Sequence, residues 1–147
     1  MAATLTAICV VVLLIGFWIK RVRNRHVMEQ HSITPEALHA LLRSKQPVLL
    51  FDVRLPLDLL AHSEIIPGAI RIAPEEVREN PLLIPRDQDS VVYCTCPSEE
   101  ASRAVLHRAL ALGFSRVKFL KGGLEGWKAK GFPVEPYEKA FHLDTGT

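Results

Sequence analysis

Ser90-Val91-Val92-Tyr93-Cys94-Thr95-Cys96-Pro97-Ser98-Glu99-Glu100 passes from a strand to a helix through a loop that carries two thiols. Ser90 to Tyr93 is rich in β-branched and aromatic residues, which favour a strand. From about Ser98 the pattern turns helical as far as Leu112, with Ala101, Val105, Leu106, Ala109 and Leu112 on one face and Gly113 as the stop. Upstream, Val48-Leu49-Leu50-Phe51-Asp52-Val53 is an apolar run broken by one acid, as expected of a strand buried on both faces of a parallel sheet. Before it, Thr34-Pro35-Glu36 opens a helix: Thr34 caps, Pro35 suits the first turn and Glu36 complements the dipole. A short strand over Ala69–Ile72, a short helix from Pro74, a loop over 79–90, a strand over Arg116–Leu120 and a last helix from Gly122-Gly123 complete the pattern. Strands alternating with helices predict a three-layer α/β fold with a mainly parallel central sheet.

In such a sheet the ligand site lies beyond the carboxyl ends of the strands. Cys94 falls there. The free amides and dipole of the following helix favour an anion, so the position suits a nucleophilic thiolate or a bound anionic sulfur species. As a plain structural residue, Cys94 would be a small buried hydrophobe at a strand end. The junction and the second thiol at Cys96 favour chemistry. Cys96 itself has three readings: the true nucleophile, a resolving thiol, or a neighbour without a role. Two sulfurs with no histidine pair do not complete a tetrahedral set, so no metal is expected, and no cofactor is called for.

From Ala2 to Ile19 no residue is charged, and Lys20, Arg21, Arg23 and Arg25 follow at once, with Trp18 just inside them. Eighteen residues make a helix of about 27 Å, close to the roughly 30 Å hydrocarbon core of a bilayer. The aromatic and the basic flank read as a membrane interface, and the positive-inside rule puts the C-terminal side in the cytoplasm. A cleaved secretory signal would carry its positive charges before the apolar run, where this chain has none. The sequence therefore predicts a single-pass membrane protein, with an anchor and basic flank over 1–26, a domain over 32–136 facing the cytoplasm, and a tail over 137–147.

The net charge of +2 misleads about partners, because those four basic residues lie in the flank. Residues 27–147 carry 14 basic and 16 acidic side chains, so the domain is not built for nucleic acid or another polyanion. The sequence names no protein partner.

Five stretches in order carry a resemblance over about Ile33 to Val134: Thr34-Pro35-Glu36; Phe51-Asp52-Val53-Arg54; Ile66-Pro67-Gly68-Ala69-Ile70; Val91-Val92-Tyr93-Cys94; and Leu120-Lys121-Gly122-Gly123-Leu124-Glu125-Gly126-Trp127. Together they resemble a rhodanese-like domain. The Cys-Thr-Cys-Pro loop, with Ile-Pro-Gly-Ala-Ile-Arg-Ile upstream, is similar to rhodanese domains fused to bacterial DedA-type membrane proteins. The resemblance implies a sulfurtransferase in which Cys94 takes the outer sulfur of thiosulfate or another sulfane donor, becomes a persulfide, and passes the sulfur to cyanide or a thiol. It implies that the loop over Thr95, Cys96, Pro97, Ser98, Glu99 and Glu100 wraps the persulfide with its amides. It also implies that Asp52, Arg54, Trp127 and the paired glycines serve the fold. Glu99 and Glu100 oppose a dianion if they face the site, and stabilise the first helical turn if they do not. Two other classes compete: a catalytically silent rhodanese-like module that binds a partner, and a thiol redox or phosphatase-like enzyme using the same loop.

Overall fold

The computed structural model describes residues 2–95 and 100–138. The chain divides into two units, Met1–Ser32 and Ile33–Thr147.

The first unit is one helix, α1 (Ala2–Gln30). The polar link expected around Met28 to His31 is instead the helix's last turn, closed by the His31 amide on the Val27 carbonyl at 3.1 Å. Its large apolar side chains are open, from Ile8 at 61% exposed to Ile19 at 53%. Among the described residues, no helix is long and apolar enough to cross a membrane. The expected spanning helix is corrected to that extent.

The second unit contains β2 (Val48–Asp52), β4 (Ile70–Arg71), β5 (Asp89–Tyr93) and β6 (Val117–Leu120). With β1 (Ser32–Ile33) they form a five-stranded sheet in the order β1-β6-β5-β2-β4. The pairs β2–β4, β2–β5 and β5–β6 are all parallel, as the α/β reading expects. β5 is the central strand. Its register sets Asp52 opposite Tyr93 and Val92 opposite both Phe51 and Phe119. Side chains alternate across a strand, so Leu50, Asp52, Val91 and Tyr93 share one face.

On that face Leu50, Val91 and Tyr93 pack with Leu38, Leu120, Leu124 and Trp127. Leu38 comes from α2 (Pro35–Arg43), which starts as its sequence dictates: Thr34 accepts from the Ala37 amide at 3.3 Å and Pro35 occupies the first turn. Leu124 and Trp127 come from α6 (Gly123–Ala129). Three further helices are α3 (Pro56–Ala61), α4 (Pro74–Glu79) and α5 (Glu100–Ala111). α5 is described from Glu100, the residues before it back to Cys96 lying outside the described ones, and it runs to Ala111, with Gly113 beyond it at a φ of 82° that suits the turn. Leu106 and Ala109 are buried as expected. Leu112 is not, because at 36% exposed it lies past the last turn of α5.

The loop expected over 79–90 holds a turn of 3₁₀ helix at Pro81–Leu83 and the start of β5. Two further strands, β3 (Glu64–Ile65) and β7 (Glu135–Pro136), pair antiparallel outside the main sheet. Beside them the Tyr137 amide bonds to the Ser63 carbonyl at 2.7 Å.

Candidate active site

The carboxyl ends of β2 and β5 meet in a buried polar cluster. Asp52 and Arg54 are both fully buried and form a salt bridge. The Arg54 guanidinium donates through Nε to both carboxylate oxygens at 2.9 Å and through Nη2 to Oδ2 at 2.5 Å. Its remaining reach goes to backbone: Nη1 to the His62 carbonyl at 2.8 Å and Nη2 to the Glu64 carbonyl at 2.7 Å. A buried ion pair offsets its desolvation only when such extra hydrogen bonds are made. The guanidinium therefore fastens the segment entering β3 to the end of β2.

Tyr93 closes the cluster from β5. Its hydroxyl donates to Asp52 Oδ2 and accepts from the Ile66 amide, both at 3.2 Å. Burial, and then the neighbouring Asp52 charge, push the phenol well above its ordinary range, so it remains a protonated donor. No local pattern signals this link, which joins residues 41 apart in the chain.

Cys94 follows directly. It is buried and is not in a disulfide, and its backbone is held on either side. Val53 donates its amide to the Tyr93 carbonyl at 3.0 Å, and Leu124 donates its amide to the Cys94 carbonyl at 2.9 Å. The second bond places the amino end of α6 against the strand end. The turn that opens α6 needs glycine: Gly122 has φ of 73°, and a Cβ on Gly126 would lie 2.9 Å from the Lys121 carbonyl oxygen.

Thr95 comes next, and its Oγ1 is buried with no hydrogen-bond partner. Of the other expected loop residues, Cys96, Pro97, Ser98 and Glu99 lie outside the described residues, and Glu100 is the first residue of α5. Cys94 and Thr95 are thus brought to the carboxyl end of the central strand, where a ligand site is expected. Among the described residues no group of three or more His, Cys, Asp or Glu side chains is placed to hold a metal ion.

The family model described as a rhodanese-like domain matches residues 34–130. The chain belongs to the rhodanese-like family. It is similar to a sulfurtransferase of Allochromatium vinosum, 30% identical over 71% of this chain and 94% of that one. It is also 30% identical to the thiosulfate sulfurtransferase GlpE of Glaesserella parasuis, over 70% of this chain and 91% of the relative. Among solved structures, a rhodanese-like domain from Anabaena is 26% identical with a TM-score of 0.59, covering 76% of this chain and 84% of that one. The rhodanese-like reading of the five stretches is thereby established, and its relatives make this a sulfurtransferase family. Asp52 and Arg54 sit in the rhodanese-like fold as the resemblance implies, locked into its interior.

Proposed function

We propose that this protein is a sulfurtransferase that carries sulfane sulfur as a persulfide on Cys94, and that residues 2–19 hold it at a membrane with the rhodanese-like domain on the cytoplasmic side. The observation that carries the first half is the place of Cys94: a buried thiol at the carboxyl end of the central strand, six residues before the first residue of α5, in a chain whose relatives are named sulfurtransferases.

The chemistry asked of it is two displacements. The Cys94 thiolate attacks the outer sulfur of a sulfane donor, a new S–S bond forms, and the donor leaves with the electron pair of the broken bond, as sulfite when the donor is thiosulfate. An acceptor thiolate or cyanide then attacks the terminal sulfur, and the Cys94 thiolate leaves. Cys96 would serve as a resolving thiol in the second displacement. Pro97, Ser98, Glu99 and Glu100, with Thr95, would form the binding loop. Intact-mass measurement of the full chain after exposure to thiosulfate or a small persulfide tests this. One added sulfur on wild type, lost in Cys94→Ser and kept in Cys96→Ser, is expected. The reverse pattern would move the nucleophile to Cys96.

The membrane half is supported by the uncharged stretch itself. Ten large apolar side chains between Ile8 and Ile19 are at least half exposed on α1, an arrangement unfavourable in water, and Lys20 and Arg21 follow immediately. Retention in the membrane pellet after a carbonate wash is expected. Protease should cut the domain only from the cytoplasmic side. Release by carbonate would refute the attachment.

A further inference from the structure

We infer that the Thr95 hydroxyl is a side-chain hydrogen-bond donor to the sulfur carried on Cys94. The inference rests on the sulfurtransferase reading and deepens it. Thr95 Oγ1 is the one buried side-chain nitrogen or oxygen without a partner among the described residues. The polar side chains described at the carboxyl ends of β2 and β5 are otherwise engaged: the Tyr93 hydroxyl has two partners and every nitrogen of the Arg54 guanidinium donates. A buried hydroxyl left unpaired is a cost that folded proteins rarely keep, and each case calls for an explanation.

The missing partner is supplied when sulfur is loaded. Persulfide formation places a second sulfur about 2 Å beyond Sγ. That terminal sulfur carries the negative charge of the deprotonated persulfide, and hydrogen bonds to an ionised acceptor are about twice as strong as neutral ones. The hydroxyl keeps its proton throughout: the bonds made and broken are those of the two displacements above, and Thr95 contributes only O–H···S stabilisation of the anion. The unloaded state thus holds a donor with nothing to donate to. The loaded state satisfies it.

This separates stability from activity in a way a structural threonine would not. Thr95→Val keeps the shape and removes the orphan hydroxyl, so the unloaded chain should melt at the wild-type temperature or higher. The same variant should load sulfur from thiosulfate about tenfold to a hundredfold more slowly, the loss expected for one hydrogen bond to a charged group. Its persulfide should also protonate at higher pH, read from the persulfide absorbance. Thr95→Ser, which restores the hydroxyl, should load within about twofold of wild type on the same scale. The full chain in detergent is exposed to thiosulfate, and the sulfur gained is followed by intact mass. Wild type that loads alongside a Thr95→Val that loads equally fast overturns the inference and leaves the sulfurtransferase reading standing. Wild type that never gains sulfur overturns the reading, and the inference with it. Should Thr95→Val fail to fold, the valine's expected stability is already refuted, and the inference falls.

Discussion

Two hydroxyls stand two residues apart where the central strand ends. The Tyr93 hydroxyl has a carboxylate to donate to and an amide to accept from, while the Thr95 hydroxyl, equally hidden from water, has neither. The first belongs to a closed network of Asp52, Arg54, Tyr93 and three backbone groups. Closed networks rigidify, because every member loses something if any member moves. The second sits one residue beyond Cys94, where an open valence is useful to an incoming ligand. The strand end is therefore fixed on one side of Cys94 and left unsatisfied on the other.

Substitutions on either side should break that contrast in order of size. Cys94→Ser should abolish sulfur loading, a drop of at least about a thousandfold since a hydroxyl cannot carry sulfane sulfur, while thermal melting stays close to wild type. Substantial loading by that variant would place the chemistry elsewhere. Arg54→Leu leaves the Asp52 carboxylate buried and uncompensated, and should cost about 3–5 kcal/mol of stability, measured by denaturant unfolding. A cost below about 1 kcal/mol would mean that the network is not closed in solution. Tyr93→Phe deletes one hydroxyl from that network and should cost about 1–3 kcal/mol. Smallest of all should be Lys128→Gln, which removes the half-open ion pair to Glu64 and should change stability by under about 1 kcal/mol.

Tyr93 also sets an alkaline limit. Its folded phenol is raised above the ordinary value of 10.0, so above that pH the unfolded chain gives up a proton that the folded chain retains. Stability from this group is whole below about pH 10 and falls as pH climbs further, by at most about 1.4 kcal/mol per unit. Unfolding free energies measured from pH 9 to 11 should show that slope in wild type and a shallower one in Tyr93→Phe. Equal slopes would place the titration on another group.

Much of the frame was legible because it is local. Val48 to Val53 reads as a buried strand because neighbouring apolar side chains need cover on both faces, and Thr34-Pro35 announces a helix start through its own geometry. The place of Cys94 follows from the same reasoning. The Tyr93 link to Asp52 was not legible, since nothing in a tyrosine's neighbours says which distant strand will lie beside it. β3 and β7 escaped for a related reason: two residues are too few to show alternation, and their pairing partners lie some seventy positions apart. Leu112 misled because its spacing fits the helical face while the helix itself stops at Ala111. Thr95 could be named as a loop residue from its position, but its unpaired state is visible only when every neighbour has been placed.

The bond from the Leu124 amide to the Cys94 carbonyl has a use beyond holding α6 in place. A backbone amide trades its hydrogen for deuterium only when its bond opens, so Leu124 carries a built-in gauge of how often the residue at the strand end comes free. Slow exchange at Leu124 that quickens during turnover would time the breathing of the strand end from a position thirty residues away in the chain, with no label attached to the thiol.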